Sequence, residues 1–126
     1  MLGNHDAGAT LAVSDMAAAR SFYEGTLGLA PAMEMGDAVL YTSGGSRVLV
    51  YQSDYAGTNK ATAATWSVGD GFDSVVAALR GKGVEFEHYD GLPGVTRDGD
   101  VHAIGEARGV WITDPDGNIL SIVDQP

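Results

Sequence analysis

Two kinds of hydrophobic spacing take turns along the chain, and the sequence runs through them twice. Ala9-Thr10-Leu11-Ala12-Val13 alternates with period two, as a half-buried strand does. Asp15 follows as a helix N-cap, and Ala19, Phe22 and Tyr23 then recur at helical spacing before Gly25 and Gly28. Three strands are predicted next, at 30–35, Ala38–Tyr41 and Arg47–Tyr51, the last two joined by Ser43-Gly44-Gly45-Ser46. After residues 53–61 the pattern restarts. Thr62–Val68 reads as a strand and Asp70 as an N-cap, with Phe72, Val75, Val76 and Leu79 as the inner face of a second helix. Val84–His88 alternates as a strand, 90–105 reads as a long glycine-rich loop, and Trp111–Val123 closes the chain as a hairpin. The turn of that hairpin, Asp114-Pro115-Asp116-Gly117-Asn118, combines a preset φ, a free φ and three side chains suited to local hydrogen bonds.

The halves can be placed in register. Val13, Asp15, Gly28 and Leu29 match Val68, Asp70, Gly83 and Val84 at a constant interval (70 − 15 = 55), and Gly45 corresponds to Gly117. A duplicated βαβββ unit is the economical reading. It predicts one domain over 1–126, with a first module at 8–52, a linker at 53–61 and a second module at 62–124.

The stretches LAVSDMAAARSFYEGTLGL, TWSVGD and WITDPDGNILSIV resemble the vicinal oxygen chelate superfamily, the group of glyoxalase I, extradiol dioxygenases and bleomycin and fosfomycin resistance proteins. The resemblance covers about residues 8–124. It implies an α+β fold of two tandem βαβββ modules whose curled mixed sheets enclose a cleft, and a homodimer as the common assembly. It also implies positions for a divalent metal. The first ligand usually stands seven residues before the capping Asp, which gives Gly8 and Ala63. The second stands four residues after the turn glycine, which gives Leu49 and Ser121. None of these is the imidazole or carboxylate that a divalent ion requires. The expectation is therefore no metal and no cofactor, with His102 beside Asp90 or Asp100 as the non-standard alternative.

Strand parity taken from those four positions turns Thr10, Ala12, Arg47, Leu49, Tyr51, Thr65, Ser67, Ser121 and Val123 toward the cleft. Leu11, Val13, Val48, Val50, Trp66, Val68, Leu120 and Ile122 turn toward the helices. The ligand-binding candidates are Tyr41, Arg47, Tyr51, Thr65, Ser67, Tyr89, His102, Trp111 and Ser121; His102 and Asp90 are the catalytic candidates. Loop 89–106 is expected as a lid or rim.

Charge narrows the partners. Seventeen acidic residues against seven basic ones give −10, a poor surface for nucleic acid and an attractive one for a cation. No apolar run approaches the ~18–20 residues of a membrane span, and no secretory signal is read at the N-terminus. Cysteine is absent, so thiolate chemistry and disulfides are excluded. The expectation is a cytoplasmic, metal-free protein that sequesters a cationic or aromatic small molecule, in the manner of bleomycin resistance proteins. The alternatives are a metal-independent lyase or isomerase, or a glyoxalase- or dioxygenase-like metal enzyme with displaced ligands.

Overall fold

Asp15 starts the first helix as the sequence predicts: its Oδ1 accepts from the backbone N–H groups of Ala17 and Ala18 at 2.9 and 3.2 Å. The structure is a computed structural model that describes residues 1–125. The chain divides into two compact units, the first comprising Met1–Ala63 with Asp114–Asn118, the second Ala64–Thr113 with Ile119 onward. Each is an α+β unit built on one sheet.

The first unit holds β1 (Ala9–Val13), α1 (Met16–Arg20), β2 (Ala30–Glu34), β3 (Ala38–Ser43) and β4 (Ser46–Gln52). A π-helical segment, Ser21–Thr26, extends α1. The sheet order is β1-β4-β3-β2, with β1 parallel to β4 and the other pairs antiparallel. Leu11, Val13, Val39, Tyr41, Val48 and Val50 are buried with Ala19 and Tyr23. The alternate residues of β1, β3 and β4, including Thr10, Leu40, Leu49 and Tyr51, lie on the more open face.

In the second unit β5 (Thr62–Ser67) leads through a short 3-10 turn, Gly69–Gly71, into α2 (Phe72–Gly81). Four more strands complete the sheet: β6 (Val95–Asp98), β7 (Val101–Ile104), β8 (Ala107–Thr113) and β9 (Ile119–Val123), in order β5-β9-β8-β7-β6. Phe72, Val76 and Leu79 of α2 are buried, as are Val110, Ile112, Leu120 and Ile122 of the sheet. Arg108, on the same face as those strand residues, covers the Phe72 ring at 4.8 Å. That face is therefore the α2 side of the sheet.

Three expectations are corrected here. Residues 90–105 are not one loop: β6 and β7 form a hairpin whose turn is Gly99-Asp100, and Gly105-Glu106 turns β7 into β8. Gly99 and Gly105 both have φ of 61° at the first turn position, the sign that a two-residue hairpin demands there and that a side chain resists. Val84–His88 makes a single bridge, Glu87 to Trp111, instead of a strand. Asp70 lies inside the 3-10 turn, and the N-cap of α2 is Gly71, with no side-chain cap.

Candidate functional site

Cross-strand pairing places three of the second unit's candidates. Trp111 pairs with Ser121 across β8 and β9, and His102 pairs with Gly109 across β7 and β8. Paired residues share a face, so His102, Trp111 and Ser121 lie together on the face turned away from α2. Segment 86–90 reaches the same place, because the Glu87 N–H donates to the Trp111 carbonyl at 2.8 Å. Tyr89 then packs edge-on against the indole of Trp111, centroids 5.2 Å apart. The His102 ring meets the same indole at 4.7 Å, again nearly perpendicular.

His102 is fully buried, and its Nε2 accepts the Tyr89 backbone N–H at 3.0 Å. An acceptor at Nε2 puts the proton of the neutral ring on Nδ1. Nδ1 is itself buried and meets no partner in hydrogen-bond geometry. Burial, and then the Arg97 charge, push the imidazole below its ordinary pKa, against a weaker opposing pull from the Asp100 carbonyl. This neutral ring braces the Tyr89–Trp111 pair from within. The Tyr89 phenol is pushed up by burial and then by Glu87, so it remains protonated.

Asp90 is not the partner of His102. Arg97 grips its carboxylate in a two-pronged contact, Nε to Oδ1 at 2.8 Å and Nη2 to Oδ2 at 2.9 Å, which holds Asp90 below the usual carboxylate range. Asp100 instead takes His88 Nε2 at 2.8 Å and Arg80 Nη2 at 2.8 Å, and is likewise held low, by His88 and then Arg80. These bonds pin segment 88–90 and the hairpin, and neither carboxylate is bonded to the His102 ring. Thr65 and Ser67 lie exposed on β5, at the edge of the sheet. A groove of about 310 Å³ opens on the α2 side of the hairpin, lined chiefly by Thr96, Val101, Ala103 and Arg108, and holds none of the ligand-binding candidates.

In the first unit Arg47 and Tyr51 are exposed along one face of β4, with half-buried Leu49 between them. Tyr41 is elsewhere. It pairs with Val48 on the buried face, stacks with Tyr23 at 6.1 Å, and donates its hydroxyl to Glu24 Oε2 at 2.8 Å. Tyr41 is a core residue here. The sequence missed this because an amphipathic tyrosine can finish its hydrogen bond inside a core.

The family model of the Glyoxalase/Bleomycin resistance protein/Dioxygenase superfamily matches residues 7–122. The chain belongs to this superfamily. Solved structures share its fold at low identity. The bleomycin resistance determinant encoded on transposon Tn5 has a TM-score of 0.72 at 15% identity, covering 96% of this chain and 98% of that one. The lactoylglutathione lyase of Agrobacterium tumefaciens gives 0.69 at 19%, covering 94% and 92%. The fosfomycin resistance protein FosX of Mesorhizobium loti gives 0.68 at 13%, covering 97% and 92%. No curated protein matches the sequence significantly.

The metal that this superfamily implies does not fit the residues at its four ligand positions. A Cβ built on Gly8 would stand 2.8 Å from the Arg47 carbonyl oxygen, so that position is closed to a ligating side chain as well as lacking one. Leu49 and Ala63 carry no donor atom, and Ser121 offers a buried hydroxyl beside Trp111. Among the described residues, no three His, Cys, Asp or Glu side chains converge as a ligand group. Nor is any described helix long and apolar enough to cross a membrane.

Proposed function

We propose that this superfamily member binds a small aromatic molecule without the help of a metal and sequesters it unaltered, a reading to which the likeness to the Tn5 bleomycin resistance determinant lends support. The observation that carries the reading is the Tyr89–Trp111 pair, both rings half-buried and braced by a neutral, fully buried His102. Half-buried rings keep surface for stacking, and fixed ones lose little entropy when they bind. The donor set at the metal positions supports the metal-free part. His102 offers no free acid–base nitrogen, since Nε2 is engaged and Nδ1 is enclosed. The reading treats 1–126 as one functional domain acting as a cytoplasmic homodimer, with Thr65, Ser67 and Ser121 as polar neighbours of the ligand.

A screen of aromatic natural products by thermal shift, with chelator present, tests it. The expected result is stabilisation that survives chelation and falls about tenfold in affinity in Tyr89→Leu, with the compound recovered unaltered by mass spectrometry. Recovery of a converted compound would replace sequestration by a metal-independent lyase or isomerase. Binding that chelator abolishes would require displaced metal ligands.

A further inference from the structure

Carboxylates outnumber basic groups 17 to 7 in this chain, so an arginine finds an acidic partner easily. Four of the five do. Arg20 pairs with Glu24 and Glu34, Arg80 with Asp100, Arg97 with Asp90, and Arg108 with Asp73 and Asp124. Arg47 has no such partner among the described residues. Its setting explains why: its ladder partner on β3 is Thr42, and on the β1 side Gly8 lies against its carbonyl with no side chain of its own. Further along β4 on the same face come Leu49 and then Tyr51, which is 37% exposed. Thr10 and Ala12 flank them on β1, Leu40 and Ala38 on β3. An unpaired guanidinium thus stands at one end of a mostly apolar strip that ends in a phenol.

We propose that Arg47 is the anion-recognising group of a site on this sheet face, one that takes an organic carboxylate with a flat apolar body. The planar guanidinium donates two parallel N–H bonds to a carboxylate, and the body lies over Leu49 toward Tyr51. Four residues of strand separate Arg47 from Tyr51, about 13 Å at ~3.3 Å per residue, which suits a ligand of two or three fused rings. The chain's overall negative charge does not forbid this, because screening over about 8 Å at physiological salt leaves the local cation in control. The site lies in the first unit and does not rest on the Tyr89–Trp111 reading. It reverses the sign of ligand charge that the composition suggests.

The test uses naphthalene-2-carboxylate, its primary amide, 2-naphthylmethylammonium and 2-naphthyl phosphate, titrated into the intact protein while the arginine Nε–H signals are followed by NMR. The carboxylate is expected to shift the Arg47 signal and to bind about tenfold more tightly than the amide or the cation. Arg47→Gln should lose about tenfold in carboxylate affinity with an unchanged melting temperature, and Arg47→Lys should recover part of it. Tighter binding of the phosphate, with the same dependence on Arg47, keeps the site and names the phosphate as its anion. Equal binding of acid and amide, undiminished binding in Arg47→Gln, or no saturable binding of either anion would overturn the proposal. Ring binding that perturbs Tyr89 and Trp111 but ignores Arg47 overturns it too, while leaving the Tyr89–Trp111 site intact.

Discussion

The two units treat a buried polar group in opposite ways. In the first, Asp114 is 5% exposed and every donor around it is matched. Its Oδ1 accepts from the backbone N–H groups of Asp116 and Asn118 at 2.9 and 2.8 Å. Its Oδ2 accepts from the Tyr23 hydroxyl and from Asn118 Nδ2, both at 2.8 Å, and the same amide group also reaches the Ala12 carbonyl at 2.7 Å. In the second unit His102 is fully buried with one nitrogen satisfied and the other orphaned. A closed network fixes a fold, whereas an orphan costs about 1–3 kcal/mol unless something repays it. Here the return is position: the ring holds Tyr89 and Trp111 in place.

Breaking the closed network should have the largest effect. Asp114→Ala strands four donors at once, and we expect a loss of about 3–5 kcal/mol in urea unfolding. Tyr23→Phe removes one donor from an oxygen that keeps another, and should cost about 1–2 kcal/mol. Burial, and then Asp114, push the Tyr23 phenol well above its ordinary pKa, so it stays a donor at any working pH. A loss below about 1 kcal/mol in Asp114→Ala would show that the network is incidental.

The orphaned site should declare itself through pH. Burial lowers the folded-state pKa of His102, so the unfolded chain takes up the proton first. Its contribution to stability is complete above the unfolded value of about 6.5 and is lost as pH falls from there through the folded value. Protonation would also set an Nε2–H against the Tyr89 N–H and release segment 88–90. His102→Gln should therefore flatten the stability profile as pH falls below about 6.5. Asp90, Asp100 and Asp124, whose carboxyls are held low, lose their contributions only further into acid, so this window isolates the histidine. Equal slopes in the two proteins would mean that His102 titrates the same way folded and unfolded.

The contrast between the units explains what could be read from sequence. Period-two alternation placed Leu11, Val13, Val48, Val50, Leu120 and Ile122 in the core, because strand parity is a local property. The Asp114 turn was legible for the same reason, but the bond from Tyr23 spans 91 residues and leaves no local trace. Tyr41 misled for a related reason: its partner Glu24 lies on another element. The β6–β7 hairpin did carry a signal, Gly99-Asp100 between two alternating runs, which the abundance of surrounding glycine obscured. Of the candidate site, Tyr89, His102, Trp111 and Ser121 do gather on one sheet face, whereas the pairing of Asp90 with Arg97 needed three dimensions to see.

The smallest effect gives the sharpest test of the apparent symmetry between the halves. Asp15 and Asp70 occupy equivalent places in the repeat, yet only Asp15 caps a helix, accepting from two backbone N–H groups. The second half inserts a 3-10 turn, so the N-cap falls on Gly71, whose missing side chain leaves the first turn of α2 uncapped. An N-cap aspartate is worth about 1 kcal/mol, whereas a surface residue without such a role changes stability by no more than about 0.5 kcal/mol. Asp15→Ala should accordingly lower stability by about 1 kcal/mol in chemical denaturation, and Asp70→Ala should sit within experimental scatter of the wild type. Gly71→Asp should gain a few tenths of a kcal/mol if a carboxylate there can reach the N–H groups of Asp73 or Ser74, about the margin by which aspartate exceeds glycine as a cap. Equal losses from Asp15→Ala and Asp70→Ala would mean that α2 is capped as α1 is, and that the repeat is more exact than the 3-10 turn allows.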